Sequence, residues 1–456
     1  MIDFDKFIKY SKPGPRYTSY PTAVEFHENF KEADFAKYLT ASNNTTKPLS
    51  LYFHLPFCRS ACYFCGCNVV YTSKDDKKTR YIGYLKKELE ILSKYLNTDR
   101  LVTQLHFGGG TPTFFSAAEL KEIIGEIKKY FKNFDKDAEI SCEIDPRFFN
   151  EEQMAVMAFE GFNRVSFGIQ DFDETVQKTV HRVQSYEETK KAVELARKYG
   201  IKSINADLIY GLPYQTFESF RDTLKKAVEL DIERFAVFNY AHVPWLKKTM
   251  RKLDETKIPS PAVKLEIMEY VIEYMTNSGF NMIGMDHFAK PDDELSLAEA
   301  KGELHRNFQG YTTKGGSDMI GVGLTSISEL DGCYSQNYKE MEEYERCIDS
   351  GLLPVHRGIE LTKDDKIRKE TIMELMGSFR LVFSQIEQKF GIDFKEYFKD
   401  SLSALKEFEA EGLVSVDTDK IVVNETGKLL IRNISMPFDG YIQIGSEQKN
   451  KFSKTI

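Results

Sequence analysis

The chain has 456 residues, 41% of them apolar and 29% charged, with a formal net charge of −8. That length and balance exclude a disordered chain and allow a large core divided among two or more domains. No run of about eighteen apolar residues suggests a membrane span, the start MIDFDKFIKYSKPGPRY lacks the apolar core of a signal peptide, and the acidic balance weighs against a nucleic-acid partner while leaving room for an anionic small ligand. A cytoplasmic protein is expected.

A turn-rich N-terminal arm, residues 1–48, comes first. Strand-like runs then follow at 51–56, 101–109, 138–145, 164–170, 204–211, 234–241 and 281–289. Charged amphipathic stretches such as TRYIGYLKKELEILSKYL and SYEETKKAVELARKYG separate them with helical spacing. Strands alternating with helices predict an α/β fold with a parallel sheet, and six or seven such units predict a full or partial barrel over 49–290. Nearly every run ends in a Gly, acid, amide or aromatic, as suits an active face at the carboxyl ends of the strands. Residues 291–359 are read as completing the barrel. From 360 to 456 the texture becomes two helical stretches and a hairpin leading into a further helix. That pattern is similar to a winged helix, but its dense Asp and Glu favour a capping domain over DNA binding.

Four of the seven cysteines stand in the stretch LYFHLPFCRSACYFCGCNVVY, at Cys58, Cys62, Cys65 and Cys67. A disulfide framework belongs to short secreted chains. A structural zinc site wants four ligands, usually as two separated pairs, and here there is no second C-x-x-C. Cys67 could close a four-cysteine site, although C-x-C spacing strains a loop wrapped round one small ion. An iron–sulfur cluster is larger and accepts thiolates from such a loop. If only three irons take cysteine, the fourth can be chelated by an amino-acid ligand.

C-x-x-x-C-x-x-C after a first barrel strand resembles the signature of radical S-adenosylmethionine (SAM) enzymes. The ordered stretches PRYTSYPTA, FHLPFC, CYFCGC, HFGGGTPT, FGIQDF, DLIYGLP, FNYAHVP, IGMDHFA, HRNFQGYTT and LLIRNI further resemble the oxygen-independent coproporphyrinogen III oxidase (dehydrogenase) family, nearly from end to end. The resemblance implies a partial (β/α)6 TIM-type barrel carrying the arm and a mostly helical C-terminal cap. It implies oxidative decarboxylation of two propionate side chains of coproporphyrinogen III to vinyl groups, giving protoporphyrinogen IX for haem synthesis without oxygen. The cofactors implied are a 4Fe–4S cluster and SAM at two sites. A low-potential electron donor such as flavodoxin or ferredoxin would serve a monomeric enzyme.

Carried over residue by residue, the resemblance makes Cys58, Cys62 and Cys65 the cluster ligands and leaves Cys67 close by as a non-ligand. SAM contacts would come from Phe64, Gly109, Gly110, Thr111, Glu143, Gln170, Arg182, Asp207 and Ala241, with Arg182 on the SAM carboxylate. Gly109 and Gly110 are expected to let backbone approach a ligand where a Cβ would clash. Tyr52 and Ile327 match contacts to a second SAM, and Phe308 and Gln309 are expected near it, in the 291–359 region. Four propionates call for basic groups. Arg16 is the first candidate, with Arg306 and Lys290 weaker ones. His54, His106, His287 and His305 could assist, although a lone histidine near a strand is usually a satisfied core residue.

Overall fold

The computed structural model describes residues 9–442 and 452. The first eight residues of the expected arm, and the other residues beyond 442 in the expected cap, lie outside the described set. One twelve-stranded sheet organises the molecule. Its strands are β1 (Leu49–Leu55), β2 (Val102–Gly109), β3 (Phe134–Ile144), β4 (Arg164–Gln170), β5 (Ser203–Tyr210), β6 (Arg234–Asn239), β7 (Asn281–Gly284), β8 (His287–Ala289), β9 (Asp318–Val322), β10 (Ile327–Leu330), β11 (Cys333–Asn337) and β12 (Val355–Glu360). Across the sheet they run β12-β11-β10-β9-β1-β2-β3-β4-β5-β6-β8-β7. From β9 through β1 to β6 all neighbours are parallel. β8 and β7 add antiparallel strands at one edge, and β10 to β12 do so at the other. The sheet keeps two separate edges, so the architecture is a partial barrel.

Period-two patterning builds the parallel core. In β4, Val165, Phe167 and Ile169 are buried while Arg164, Ser166, Gly168 and Gln170 alternate with them, and β5 repeats the pattern. Successive side chains of a strand face opposite ways, so one set packs under the crossover helices and the other lines the lumen. The helices that follow the strands begin at reciprocal caps such as Ser116 with Glu119, Asn150 with Gln153, Ser185 with Glu188 and Thr216 with Ser219. Each cap is worth about 1 kcal/mol and fixes where a strand-to-helix loop ends.

Two expectations need correction. The run at 281–289 is not one strand: Gly284 (φ 154°) and Met285 (φ 50°) turn the chain, and β7 and β8 pair antiparallel across that turn. The parallel strand beyond the first six is instead β9, which pairs with β1 from the other side. A short hairpin, His305–Asn307 with Gly310–Thr312, projects between these parts, and Gln104 of β2 donates to Thr312 Oγ1 at 3.0 Å.

The C-terminal region contains the helices Lys363–Ser378, Phe383–Phe390 and Lys399–Ala410 and a small sheet of Arg380–Val382, Lys420–Val423 and Val414–Val416. The arm is bolted to this region. Tyr17, fully buried, donates to Asp439 at 2.9 Å, and Gly440 N–H donates to Tyr20 Oη at 2.9 Å. Asn433 Nδ2 donates to the Tyr10 carbonyl at 2.9 Å. Among the described residues no helix is long and apolar enough to cross a membrane.

Candidate active site at the carboxyl end of the barrel

β1 runs out through Pro56 into the loop that carries the clustered cysteines, while β2 to β5 end around it. The resulting cavity, about 230 Å³, is walled by Cys58, Cys62, Phe64, Cys65, Gly109, Gly110, Thr111, Glu143, Gln170, Arg182 and Asp207. All of these were candidates from the sequence. Cys67 also reaches the wall. Three soft thiols offered by one loop, none tied into a disulfide, form a donor set suited to an iron–sulfur cluster. No three His, Cys, Asp or Glu side chains among the described residues close round a single metal ion.

The thiols differ in surroundings. Cys58 is pushed up to about 12 by burial, and Thr111 Oγ1 lies 3.4 Å from its Sγ. A hydrogen bond from Cys67 lowers the Cys65 thiol to about 7. Cys62 receives two guanidiniums, Arg182 Nη1 at 3.6 Å and Arg147 Nη2 at 3.8 Å. Asp145 holds both: Arg147 reaches it through Nε at 2.9 Å and Nη2 at 2.6 Å, and Arg182 Nη1 at 3.0 Å. Arg182 also donates to the Gly168 carbonyl at 2.6 Å, while its Nε has no hydrogen-bond partner among the described residues. Arg147 and Asp145 were missed by the sequence reading. Their signal was the local DPR stretch, in which the Asp145 side chain caps the short turn and accepts from Arg147 N–H.

The carboxylates stand across from the thiols. Burial alone would raise Glu143, but hydrogen bonds from His106 (3.5 Å) and Gly109 N–H (3.2 Å) bring it below the usual range. Its side chain remains 46% exposed, facing the cavity. Asp207 is raised to about 6 by burial and by Glu143, against hydrogen bonds from Asn205 (2.8 Å) and Ser166 (3.1 Å). Gln170 takes a left-handed backbone (φ 69°). A Cβ on Gly168 would come within 2.7 Å of its amide and 3.1 Å of Arg182, so that glycine makes room for both side chains.

Gly109 and Gly110, on the cavity wall, are also packed tightly from behind. A Cβ on Gly110 would lie 2.6 Å from the Pro56 carbonyl, and one on Gly109 2.6 Å from the His54 ring. These glycines permit protein-to-protein packing behind the cavity.

The remaining candidates lie outside this wall. Tyr52 stacks on His106 at 5.9 Å and its hydroxyl meets His54 Nδ1 at 3.1 Å. His54 is lowered to about 4 by burial, and its Nε2 meets the Asn68 carbonyl at 2.9 Å, as a satisfied core histidine should. Phe308 and Ile327 share a small apolar cluster with Phe26 of the arm. Ala241 is exposed just beyond β6, and His305 packs against Gly315. Gln309 lines a second cavity of about 310 Å³ in the barrel lumen, together with His106, Arg164, Phe238, His287 and Tyr311. Glu143, Ser166 and Asp207 belong to both cavities. Arg16 pairs with Asp286 at 3.2 Å. Lys290 is a correction: it pairs with Asp231 at 2.6 Å, before the start of β6 and away from the carboxyl ends.

A profile of the radical SAM superfamily matches residues 52–227, and one of the HemN C-terminal domain matches 361–430. The chain is 56% identical over 457 residues to "Oxygen-independent coproporphyrinogen III oxidase" of Helicobacter pylori J99, covering 100% of this chain and 99% of that one. It is 45% identical over 458 residues to the protein of the same name from Escherichia coli K12, with 100% and 99% covered. A solved structure described as "Coproporphyrinogen III oxidase (HemN) from Escherichia coli is a Radical SAM enzyme" superposes with a TM-score of 0.92 at 45% identity, over 97% of this chain and 100% of that one. With a thiol-lined cavity at the mouth of a partial barrel and full-length kinship of this degree, the chain belongs to the oxygen-independent coproporphyrinogen III oxidases of the radical SAM superfamily.

Proposed function

We propose that this chain oxidatively decarboxylates two propionate side chains of coproporphyrinogen III to vinyl groups, giving protoporphyrinogen IX. The observation that carries the reading is a single cavity in which three thiols face Glu143, Gln170, Asp207 and Arg182, in a chain related over its whole length to proteins named for this oxidation. When bound, a 4Fe–4S cluster and SAM would supply the radical chemistry that the oxidative loss of carbon dioxide from a propionate requires.

The chain's own residues hold, orient and exclude. Cys58, Cys62 and Cys65 are the cluster ligands, and the guanidiniums beside Cys62 offset thiolate charge. Arg182 suits the carboxylate of SAM, as a planar fork of donors. Glu143 and Asp207, as acceptors, suit an amine and ribose hydroxyls, and Gln170 offers both a donor and an acceptor. Gly109, Gly110 and Thr111 contribute backbone and a hydroxyl, while Phe64 and Ala241 flank adenosine. Tyr52, Phe308, Gln309 and Ile327 border a second SAM. A low-potential carrier such as flavodoxin or ferredoxin provides the electron, and the working form is a cytoplasmic monomer. Anaerobic reconstitution with iron and sulfide, followed by SAM, reductant and coproporphyrinogen III, tests the reading. Protoporphyrinogen IX and 5′-deoxyadenosine should appear together. Release of 5′-deoxyadenosine with no decarboxylated porphyrinogen overturns the substrate.

A further inference from the structure

Cations of two kinds stand on and beside the lumen cavity, Arg164 and Arg234 on its wall and Arg306 on the hairpin whose Gln309 and Tyr311 line it. Arg164 and Arg234 are answered by acids: Glu139 lies 3.3 Å from Arg164, and Asp293 lies 2.8 Å from Arg234. Arg306, on the hairpin that edges the lumen, is not so answered. It is only 7% exposed, its guanidinium lies 4.8 Å from the centre of the Tyr311 ring, and its Nε and Nη1 have no hydrogen-bond partner among the described residues. Gln309 Nε2, on the same hairpin and on the cavity wall, is buried without a partner as well. Tyr311 lines the cavity with its ring 5.2 Å from that of His287.

The nearby acid is shared: Asp286 Oδ1 lies 2.8 Å from His287 Nδ1, and no hydrogen bond joins the carboxylate to Arg306 Nε or Nη1. Asp286 accepts from Arg16 Nη2 at 3.2 Å, and the arm that brings Arg16 there is held by Arg432 Nε on the Pro15 carbonyl at 2.9 Å. Burial opposes ionisation of Asp286, yet Arg16, then His287 and Arg306, hold it well below the usual carboxylate range. Burial, then Arg16 and Arg306, push Arg432 down to about 9. The guanidiniums are therefore close enough to feel one another. A buried guanidinium with idle N–H groups carries a desolvation cost that an acceptor must offset. The acceptor that matches a planar fork beside a second amide donor is a carboxylate.

We propose that Arg306, with Gln309 and the Tyr311 hydroxyl, anchors a carboxylate on a flexible aliphatic arm, supplied by a propionate of the tetrapyrrole. The proposal rests on the reaction assigned above. A methionine carboxylate of SAM has the same chemistry, so the test separates the two sources. Cluster-loaded full-length protein is titrated anaerobically with coproporphyrin III, the stable oxidised form bearing the same four carboxylates, and separately with SAM. Arg306→Gln should weaken coproporphyrin III binding by about 10- to 100-fold, Arg306→Lys should recover part of that, and Tyr311→Phe should cost a few-fold. The tetramethyl ester should bind wild type and Arg306→Gln alike, and SAM affinity should be unchanged. Lost SAM affinity with coproporphyrin III binding intact assigns the same anchor to the methionine carboxylate. Unchanged binding of both ligands overturns the proposal. If Arg306→Gln fails to fold by circular dichroism, Tyr311→Phe and Gln309→Glu decide the matter, the added charge of the latter repelling a carboxylate. Wild-type turnover of coproporphyrinogen III is measured alongside. Its failure refutes the assigned reaction while leaving the anchor to the binding data.

Discussion

Gly110→Ala and Gly66→Ala place the same methyl group at two glycines of the cavity mouth with opposite expected results. Gly110 N–H donates to the Leu55 carbonyl at 2.9 Å, and Thr111 N–H to the Phe57 carbonyl at 3.0 Å, so the end of β2 is stitched to the end of β1. A Cβ at Gly110 would sit 2.6 Å from Pro56 C and O, where ordinary contact begins at 3.4 Å. The strands would have to part by the difference, about 0.8 Å. Pro56 cannot yield by rotating a side chain, and its carbonyl already accepts from Val70 N–H at 2.8 Å. Overpacking of this kind costs about 1–3 kcal/mol. The parting would stretch the Gly110 hydrogen bond past its useful range, for about 1 kcal/mol more. Apo-Gly110→Ala should therefore lose about 2–4 kcal/mol in denaturant unfolding followed by circular dichroism. It should also retain less iron after reconstitution, because Thr111 moves relative to Cys58. Gly66 lies exposed between Cys65 and Cys67 with nothing within 4 Å of its Cβ position, and Gly66→Ala should stay within about 0.5 kcal/mol. Equal damage from both substitutions, or none from Gly110→Ala, would refute the packing argument.

Asp171 is 2% exposed and raised to about 6 by burial, against hydrogen bonds from Asp173 N–H, Gln215 and Thr223. Its folded value exceeds the ordinary 3.8. Its contribution to stability is thus complete below about pH 4 and is lost as pH rises to about 6, a change of roughly 3 kcal/mol. Asp171→Asn should abolish that slope in the pH dependence of the unfolding midpoint. It should also lower stability at neutral pH, since Gln215 Oε1 is held by Gly211 and Leu212 N–H and its amide cannot flip to meet an Asn. Asp145→Ala leaves Arg147 and Arg182, 12% and 10% exposed, facing each other without their shared acid. A loss of about 3–5 kcal/mol is expected, part of it recovered in thermal unfolding by adding Arg147→Met. Iron analysis after reconstitution should show Cys58→Ser, Cys62→Ser and Cys65→Ser losing the cluster while Cys67→Ser keeps it.

What the sequence disclosed follows the range of the forces involved. Strands such as β4 and β5 were legible because they alternate apolar and polar residues within their own few positions. The turn inside 281–289 was not, because Gly284 and Met285 take positive φ without an Asn-Gly or Asp-Gly pair to announce it. β9 was missed because its five residues are all buried and no alternation marks it. Cys58, Cys62 and Cys65 share one loop, so their proximity could be read directly. The state of Glu143 could not, since it depends on His106 from the neighbouring strand and on Gly109 N–H. Arg306 was a weaker candidate beside Arg16 and Lys290, and its burial against Tyr311, which separates it from Lys290, depends on the hairpin and could not be read from the sequence.

The sharing of Glu143 and Asp207 between the two cavities gives the barrel a way to sort its ligands without a door. Glu143 is ionised well below neutral pH and Asp207 above about 6, so at neutral pH two carboxylates stand where the cavities meet. On the mouth side they share a wall with thiols and guanidiniums, a setting that suits the amine and carboxylate of the amino-acid ligand proposed above. On the lumen side the same two charges would repel a tetracarboxylate, while Arg16 and Arg306, stacked near Phe238 and Tyr311, would draw it toward β6 and β8 if the anchor proposed above holds. Coulomb interactions are several times stronger in such partly dry sites than in water. A ligand carrying four negative charges, bound as proposed above, would be turned so that most of its carboxylates lie toward the guanidiniums, and Arg306→Gln should relax that orientation.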